Sequence, residues 1–301
     1  MDGPGGLLES PPADFEEARV FSREQFRIEI ERNVATALAE DVGTGDLTAR
    51  LAPAGQRAHG TLVTRQDAVL CGTAWFEGCF RALDARALVR WRAQDGDGIR
   101  SGQTLCEIEA DTRALLTAER TAINFLQLLS GTATTTRRYV EAVAGTAARI
   151  VDTRKTLPGL RLAQKYAVRI GGGTNHRIGL YDGILIKENH ILAAGGVAAA
   201  LDAAKAIAAP GVFIQIEVET IAQLREALAA GAAMVLLDNM SPEQMREAVG
   251  LARGRAVLEV SGGVGLDQVR RIAETGVQRI SIGALTKDVR AVDLSLRHCE
   301  K

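Results

Sequence analysis

The sequence predicts an α/β protein in which a smaller α/β segment precedes a β/α barrel. Two observations lead there. From Arg149 onward, six short apolar runs (149–153, 183–189, 212–219, 234–239, 256–263 and 279–285) alternate with helical stretches. Strands that alternate with helices pair in parallel through right-handed crossovers, and runs apolar along their whole length suit a sheet covered on both faces. Residues 58–110 have another texture, short strand-like runs broken by turns, so the two halves are different units. A doubly wound open sheet is the second choice. No G-x-G-x-x-G follows the first of the six runs, which counts against it.

Taken in order, residues 1–21 are rich in Gly, Pro and acids and read as a mobile extension; they lack the basic start and apolar core of a signal peptide. Residues 23–40 predict a helix with Ser22 as N-cap and Phe26, Ile30, Val34 and Leu38 four apart. The loop EDVGTGDLTA (40–49) follows, where Asp46 is expected to cap a turn. The stretch QDGDGIRSGQTLCEIEA (94–110) has the look of half a lipoyl domain, but no Lys precedes Lys155, so a plain hairpin is the better reading. Asp111 is placed to cap a long helix reaching about Ser130, which can bridge the two units. The expected domains are 22–130 with the bridging helix, 131–290 as the barrel, and 291–301 as a tail against the N-terminal domain.

The 301 residues carry 36 basic and 37 acidic side chains, a net charge of −1. That balance gives no sign of a nucleic-acid binder or a membrane-surface protein, and no apolar run approaches the ~20 residues of a membrane span. The four cysteines form no C-x-x-C pair, so neither a disulfide framework nor a zinc site is expected, and a cytoplasmic location fits. Only six of the basic residues are Lys, and Lys155, Lys165 and Lys187 fall in one 33-residue window.

The chemistry is expected where the barrel runs end. They end in Asp152-Thr153-Arg154-Lys155, Lys187-Glu188-Asn189, Glu217 and Glu219, Asp238-Asn239, Ser261-Gly262-Gly263 and Ser281-Ile282-Gly283. In a β/α barrel these ends converge on the active-site mouth. The charges divide into a cationic half (Arg154, Lys155, Lys187, His176, Arg177) and an anionic half (Glu217, Glu219, Asp238). Cations of this kind bind carboxylates or phosphates, and carboxylates facing a phosphorylated ligand hold Mg²⁺. Ser261, Gly262 and Gly263 before a helix, with Gly283, predict a phosphate cradle. Lys165, Arg161 and Arg169 lie on a predicted helix, where a solvated face is the default, with Arg161 also a candidate for an anion contact. His190 reads as structural, and Glu188 and Asn189 as orienting Lys187.

These residues resemble the quinolinate phosphoribosyltransferase family, the carboxylating nicotinate-nucleotide pyrophosphorylases. The resemblance rests on DTRKTLPGLRLAQKYAVRIGGGTNHRIGLYDGILIKENHI (152–191), EDVGTGDLT (40–48), ERTAINFLQLLSGTAT (119–134), EVE (217–219), LLDN (236–239), EVSGG (259–263) and SIGALTK (281–287). It implies an N-terminal α/β domain packed on an incomplete, open β/α barrel. It implies transfer of phosphoribosyl from 5-phosphoribosyl-1-pyrophosphate to quinolinate with loss of CO₂, giving nicotinate mononucleotide, with Mg²⁺ and no organic cofactor.

By the same resemblance, Arg154, His176, Arg177 and Lys187 belong to the quinolinate pocket, and Thr156 is a further substrate-binding residue. Arg120 completes that pocket in a second subunit of a homodimer, with a hexamer as the larger assembly considered. Lys155 lies near the reacting pyrophosphate. Glu217 and Asp238 lie on the Mg²⁺ and ribose side, with Glu217 taken over Glu219 on its 21-residue spacing to Asp238. Ser261, Gly262, Gly263 and Gly283 cradle the 5-phosphate. Lys155 and His176 are both candidates to supply a proton after CO₂ leaves. The competing readings are a Schiff-base barrel aldolase using Lys187, a nicotinate-specific transferase, a relative of the same fold linked to molybdate uptake operons, and a binding protein without catalysis.

Overall fold

The computed structural model describes residues 22–299, so the proposed extension at 1–21 lies outside the described residues. The first helix, α1 (Arg23–Val42), starts where the sequence puts it. Ser22 Oγ accepts from Gln25 N, and Gln25 Oε1 accepts from Ser22 N, each at 3.1 Å, a reciprocal cap. Asp46 turns the following loop, accepting from Thr48 N and Ala49 N, and its other oxygen accepts from Thr117 Oγ1 at 2.9 Å.

The N-terminal unit continues through β1 (Arg57–Thr64), β2 (Ala68–Val69), α2 (Thr73–Leu83), β3 (Leu88–Trp91), β4 (Gly98–Ile99) and β5 (Thr104–Asp111). At the far end of the chain, β12 (Leu294–Cys299) returns and adds to its edge, giving a four-stranded sheet in the order β12-β1-β5-β3, antiparallel throughout. Leu62 pairs with Cys106 on one side and with Leu296 on the other. Trp75, Phe76 and Phe80 of α2 are fully buried beneath it. Removing a buried aromatic of this kind costs about 3–5 kcal/mol.

Helix α3 (Thr112–Ala142) is capped by Asp111, which accepts from Arg113 N and Ala114 N. It runs past the expected end near Ser130. The Ser-Gly-Thr stretch at 130–132 lies inside the helix and serves packing. A Cβ on Gly131 would meet Arg290 O at 2.3 Å, so the glycine admits the returning chain. Thr134 and Thr136 return their hydroxyls to Ser130 O and Thr132 O, four residues back. The helix joins two cores: Leu115, Leu126 and Leu129 pack with Trp75 and Phe76, whereas Tyr139 packs with Ile150 and Ile280.

The barrel unit comprises β6 (Arg149–Val151), α4 (Arg161–Ile170), β7 (Gly183–Ile186), α5 (Glu188–Ala194), α6 (Val197–Ile207), β8 (Phe213–Val218), α7 (Ile221–Ala229), β9 (Met234–Asp238), α8 (Pro242–Ala252), β10 (Val257–Ser261), α9 (Val269–Ala273), β11 (Arg279–Ser281) and α10 (Ala284–Lys287). Its six strands are parallel in the order β6-β11-β10-β9-β8-β7. From β7 to β11 each strand lies beside its predecessor, and β6 closes next to β11. The winding never reverses, so the doubly wound alternative is excluded. Between β6 and β7 no ladder forms. A single parallel bridge, Val151 with Thr174, lies on that side of β6. The barrel is open along this seam.

Candidate functional site

Side chains, rather than backbone pairing, span the seam. Asp152, the residue after β6, is fully buried and accepts from Lys165 Nζ, Asn175 Nδ2 (2.7 Å) and His176 N (2.8 Å). Lys165 also donates to His176 O at 3.0 Å. It is 0% exposed, so the expected solvated position is corrected. One turn of α4 directs it into the barrel because Asp152 requires a counter-charge there. Burial pushes the Asp152 carboxyl up and the Lys165 ammonium down, while their contact pulls both back. Across the gap, Arg177 Nη1 donates to Gly183 O at 2.9 Å, at the first residue of β7.

His176 is 7% exposed, and both ring nitrogens meet protein groups. Nδ1 accepts from Arg177 N at 2.8 Å, so the proton of the neutral ring sits on Nε2, 2.8 Å from Gln215 Oε1. Burial pushes its pKa below the ordinary value, which keeps the ring neutral at neutral pH. Beneath it, Glu259 is fully buried on β10, accepting from Arg279 Nε at 2.8 Å and from Ser281 Oγ. Burial opposes charge on Glu259, but the His176 edge, Arg279 and Ser281 outweigh it and hold the carboxyl below its usual range. Sequence reasoning assigned no role to Glu259 or Gln215, and it placed Asp152 with the strand ends at the mouth, whereas the structure buries it. A charged or amide residue inside an apolar run (VLEVS, FIQIEV) was the available signal.

Above this floor lie the strand ends. Arg154 and Lys155 are exposed on the loop after β6; burial pushes the pKa of Arg177 down, and the nearby charge of Arg154 pushes it the same way. Thr156 Oγ1 accepts from Arg161 Nε. Lys187 follows β7 and Glu217 lies on β8, and Nζ reaches Oε2 at 3.0 Å. The cationic and anionic halves are therefore not separate, because adjacent parallel strands bring these two ends into contact. Glu219 lies beyond the end of β8 and is exposed, so it does not share the strand face with Glu217 that the spacing suggested. Asp238 ends β9, accepting from Asn239 Nδ2 at 2.8 Å. His190 Nδ1 accepts from Lys187 N at 2.9 Å, the structural role expected of it.

The glycine-rich end of β10 is tightly constrained. Gly262 and Gly263 have φ of 110° and 56°, and a Cβ on Gly262 would meet Asn239 Oδ1 at 2.4 Å. The pair precedes a helix, as expected, but a turn at 266–268 separates them and α9 begins at Val269. Gly283 precedes α10, and a Cβ there would lie 3.1 Å from Lys155 Cδ, so the last strand end leaves room for the lysine from the first. Arg120 is not part of this cluster. It is exposed on α3, in the other unit, one turn beyond exposed Leu116.

Fold and strand ends thus define a class: an open six-stranded parallel β/α barrel with Arg154, Lys155 and Lys187 exposed after its strands and Glu217, Asp238 and the glycines 262, 263 and 283 on neighbouring strand ends. Residues 46–130 match the family model "Quinolinate phosphoribosyl transferase, N-terminal domain", and 132–297 match its C-terminal domain. The chain belongs to the quinolinate phosphoribosyltransferase family. It is 44% identical over 272 residues to the nicotinate-nucleotide pyrophosphorylase [carboxylating] of Mycobacterium leprae, covering 87% of this chain and 95% of that one. It is 42% identical over 257 residues to a probable enzyme of the same name from Bacillus subtilis, covering 85% and 89%. The solved nicotinate-nucleotide pyrophosphorylase of Francisella tularensis superposes with a TM-score of 0.89 at 43% identity, covering 94% of this chain and 99% of that one.

Proposed function

We infer that the chain transfers a phosphoribosyl group from 5-phosphoribosyl-1-pyrophosphate to quinolinate, releasing pyrophosphate and CO₂ and forming nicotinate mononucleotide for NAD synthesis. What supports the reading is the pairing of Lys187 with Glu217 across neighbouring strand ends, with Asp238 ending the next strand and Arg154 close enough to Arg177 for their charges to interact. Quinolinate has two neighbouring carboxylates, and two arginine forks with a lysine are a suitable receptor. The ring nitrogen attacks C1 of the ribose, and the C1–O electron pair leaves with pyrophosphate. The nitrogen is then a fixed cation. The adjacent carboxylate leaves as CO₂, its electron pair remains at C2 beside that cation, and one proton completes the product. Lys155 is exposed at the rim, whereas His176 is sealed beneath it, so we assign proton delivery to Lys155.

Glu217 and Asp238 suit Mg²⁺ only in part. Among the described residues no three His, Cys, Asp or Glu side chains converge as a metal cage, so the ion would take two carboxylates and complete its shell with phosphate oxygens and water. When bound it supplies positive charge to the departing pyrophosphate. Ser261, Gly262, Gly263 and Gly283 offer backbone and hydroxyl groups to the 5-phosphate. No organic cofactor is needed.

The working unit we propose is a homodimer. Arg120 is exposed on α3, Leu116 (40%) one turn before it is exposed too, and Leu47 (76%) and Leu51 (86%) are exposed on the loop that packs on the start of the same helix. Asp46 ties their loop to α3 through Thr117. Among the described residues no single helix is long and apolar enough to cross a membrane, and a cytoplasmic enzyme fits. The test is direct. Purified protein, quinolinate, phosphoribosyl pyrophosphate and Mg²⁺ should yield nicotinate mononucleotide and CO₂ in equal amounts; neither product, with folded protein, would sink the reading.

A further inference from the structure

Arg161 occupies a place that the strand-end chemistry leaves unexplained. It opens α4, between the loop carrying Arg154, Lys155 and Thr156 and the segment carrying His176 and Arg177. All three faces of its guanidinium meet protein acceptors. Nε donates to Thr156 Oγ1 at 3.1 Å, Nη1 to Ile178 O at 3.1 Å and Nη2 to Arg154 O at 3.4 Å. Arg154 is thus held through its own carbonyl, and Arg177 through that of the next residue. One planar group ties together the two backbone segments that each bear a rim arginine.

The same two segments are tied again one turn further along α4. There, Lys165 joins Asp152 to His176 O at 3.0 Å. The seam that lacks a β-ladder is therefore stitched at two levels by one helix face, with Lys165 at the buried level and Arg161 at the rim. The two residues are not interchangeable. A guanidinium reaches three acceptors in one plane, whereas an ammonium is a point charge on a flexible stem. Three of the five N–H donors at 161 go to protein oxygens.

We propose that Arg161 is a positioning residue that sets the gap between Arg154 and Arg177, and thereby selects a ligand with two adjacent carboxylates over one with a single carboxylate. The inference rests on the quinolinate reading above. Lys155 gives it an internal control. Its carbonyl accepts from Thr286 Oγ1 at 2.8 Å and its N–H donates to Thr153 Oγ1 at 3.1 Å, neither through Arg161. Lys155 lies between two residues tied to Arg161, but it keeps these two tethers when Arg161 is loosened, whereas Arg154 O and Ile178 O lose theirs.

The experiment is steady-state kinetics and calorimetry on full-length Arg161→Lys, with quinolinate and nicotinate as paired ligands. A displacement of the rim arginines should raise the quinolinate KM about tenfold or more. The KM for phosphoribosyl pyrophosphate should stay within about twofold, as for an independent site. The preference for quinolinate over nicotinate should shrink. Thr156→Val removes one acceptor of the three and is the milder variant should Arg161→Lys not fold; it should move the same preference in the same direction by less. Equal rises in both KM values, or a preference unchanged in folded variants, would overturn the positioning role alone. Wild-type protein that binds no quinolinate would overturn the functional reading and this inference with it.

Discussion

Lys187 Nζ lies 3.0 Å from Glu217 Oε2, joining the end of one barrel strand to its neighbour. Lys187 is half exposed, with 51% of its side chain accessible, and Glu217 keeps 15%. An ion pair this open to solvent contributes about 0–1 kcal/mol to stability. Its value lies in what the two groups do once a ligand separates them. Each neutralises the other in the pair, and an anion bound to the lysine, or a cation bound to the carboxylate, would release the partner.

Lys187→Met should therefore leave the unfolding midpoint almost unchanged while weakening quinolinate binding. Glu217→Gln should do the opposite for ligands, sparing quinolinate and impairing phosphoribosyl pyrophosphate use. Calorimetry with each ligand separates the two. Loss of quinolinate binding in Glu217→Gln would place the carboxylate in the other half of the site.

Arg154 and Arg177 are expected to contact the two carboxylates. Each Ala variant should lose about 1.5–3 kcal/mol of quinolinate binding, the range for a charge-assisted hydrogen bond. The Arg177 variant should also lose stability, since its guanidinium caps Gly183 O at the seam. Arg154 is exposed, and its removal should leave the unfolding curve in place. Unchanged quinolinate affinity in both variants would refute the assignment.

The buried pair at the seam predicts a large stability effect. Lys165→Met leaves the Asp152 carboxyl without its counter-charge in a site with no solvent access. Breaking such a pair costs about 3–5 kcal/mol. Adding Asp152→Asn should recover part of the loss, because the remaining amide no longer needs a charge. Urea unfolding of the single and double variants measures this. A double variant less stable than either single one would contradict the account.

Much of this arrangement was legible beforehand. The helix from Ser22, the six strands and the polar strand ends follow from apolar periodicity and capping, which are local. Lys165 was misjudged because its helix position looked solvated, and only the unpaired seam places it inside. The missed Glu259 and Gln215 belong to strands whose inner face is polar at the barrel axis. Periodicity cannot report that when the flanking residues are all apolar. The contact between Lys187 and Glu217 depends on strand adjacency, which the sequence order suggested without giving a distance.

His176 sets a pH dependence of stability. Burial holds its pKa in the folded protein below the unfolded value near 6.5. The unfolded chain therefore takes up a proton first as pH falls. Stability from this residue is complete above pH 6.5 and declines as pH drops towards the folded value. His176→Gln should flatten the fall in unfolding midpoint between neutral and mildly acidic pH, the range above that in which Glu259 titrates. An unaltered slope would mean that the ring carries its proton in the fold.

The proposed dimer can be tested by complementation. If Arg120 completes the neighbouring pocket, each active centre needs Arg120 from one chain and Arg154 from the other. Arg120→Ala and Arg154→Ala proteins should each be nearly inactive alone. Mixed after reversible dissociation, a heterodimer would hold one pocket with both lesions and one with neither. Random pairing makes half the dimers mixed, and each has one intact pocket of two, so activity should rise to about a quarter of wild type across a two-fold interface. The exposed Leu47, Leu51 and Leu116 on and beside α3 supply a second readout, since Leu51→Asp should weaken dimerisation and the complementation together. Subunit exchange demonstrated by mass, with no recovery of activity, would assign Arg120 to its own chain.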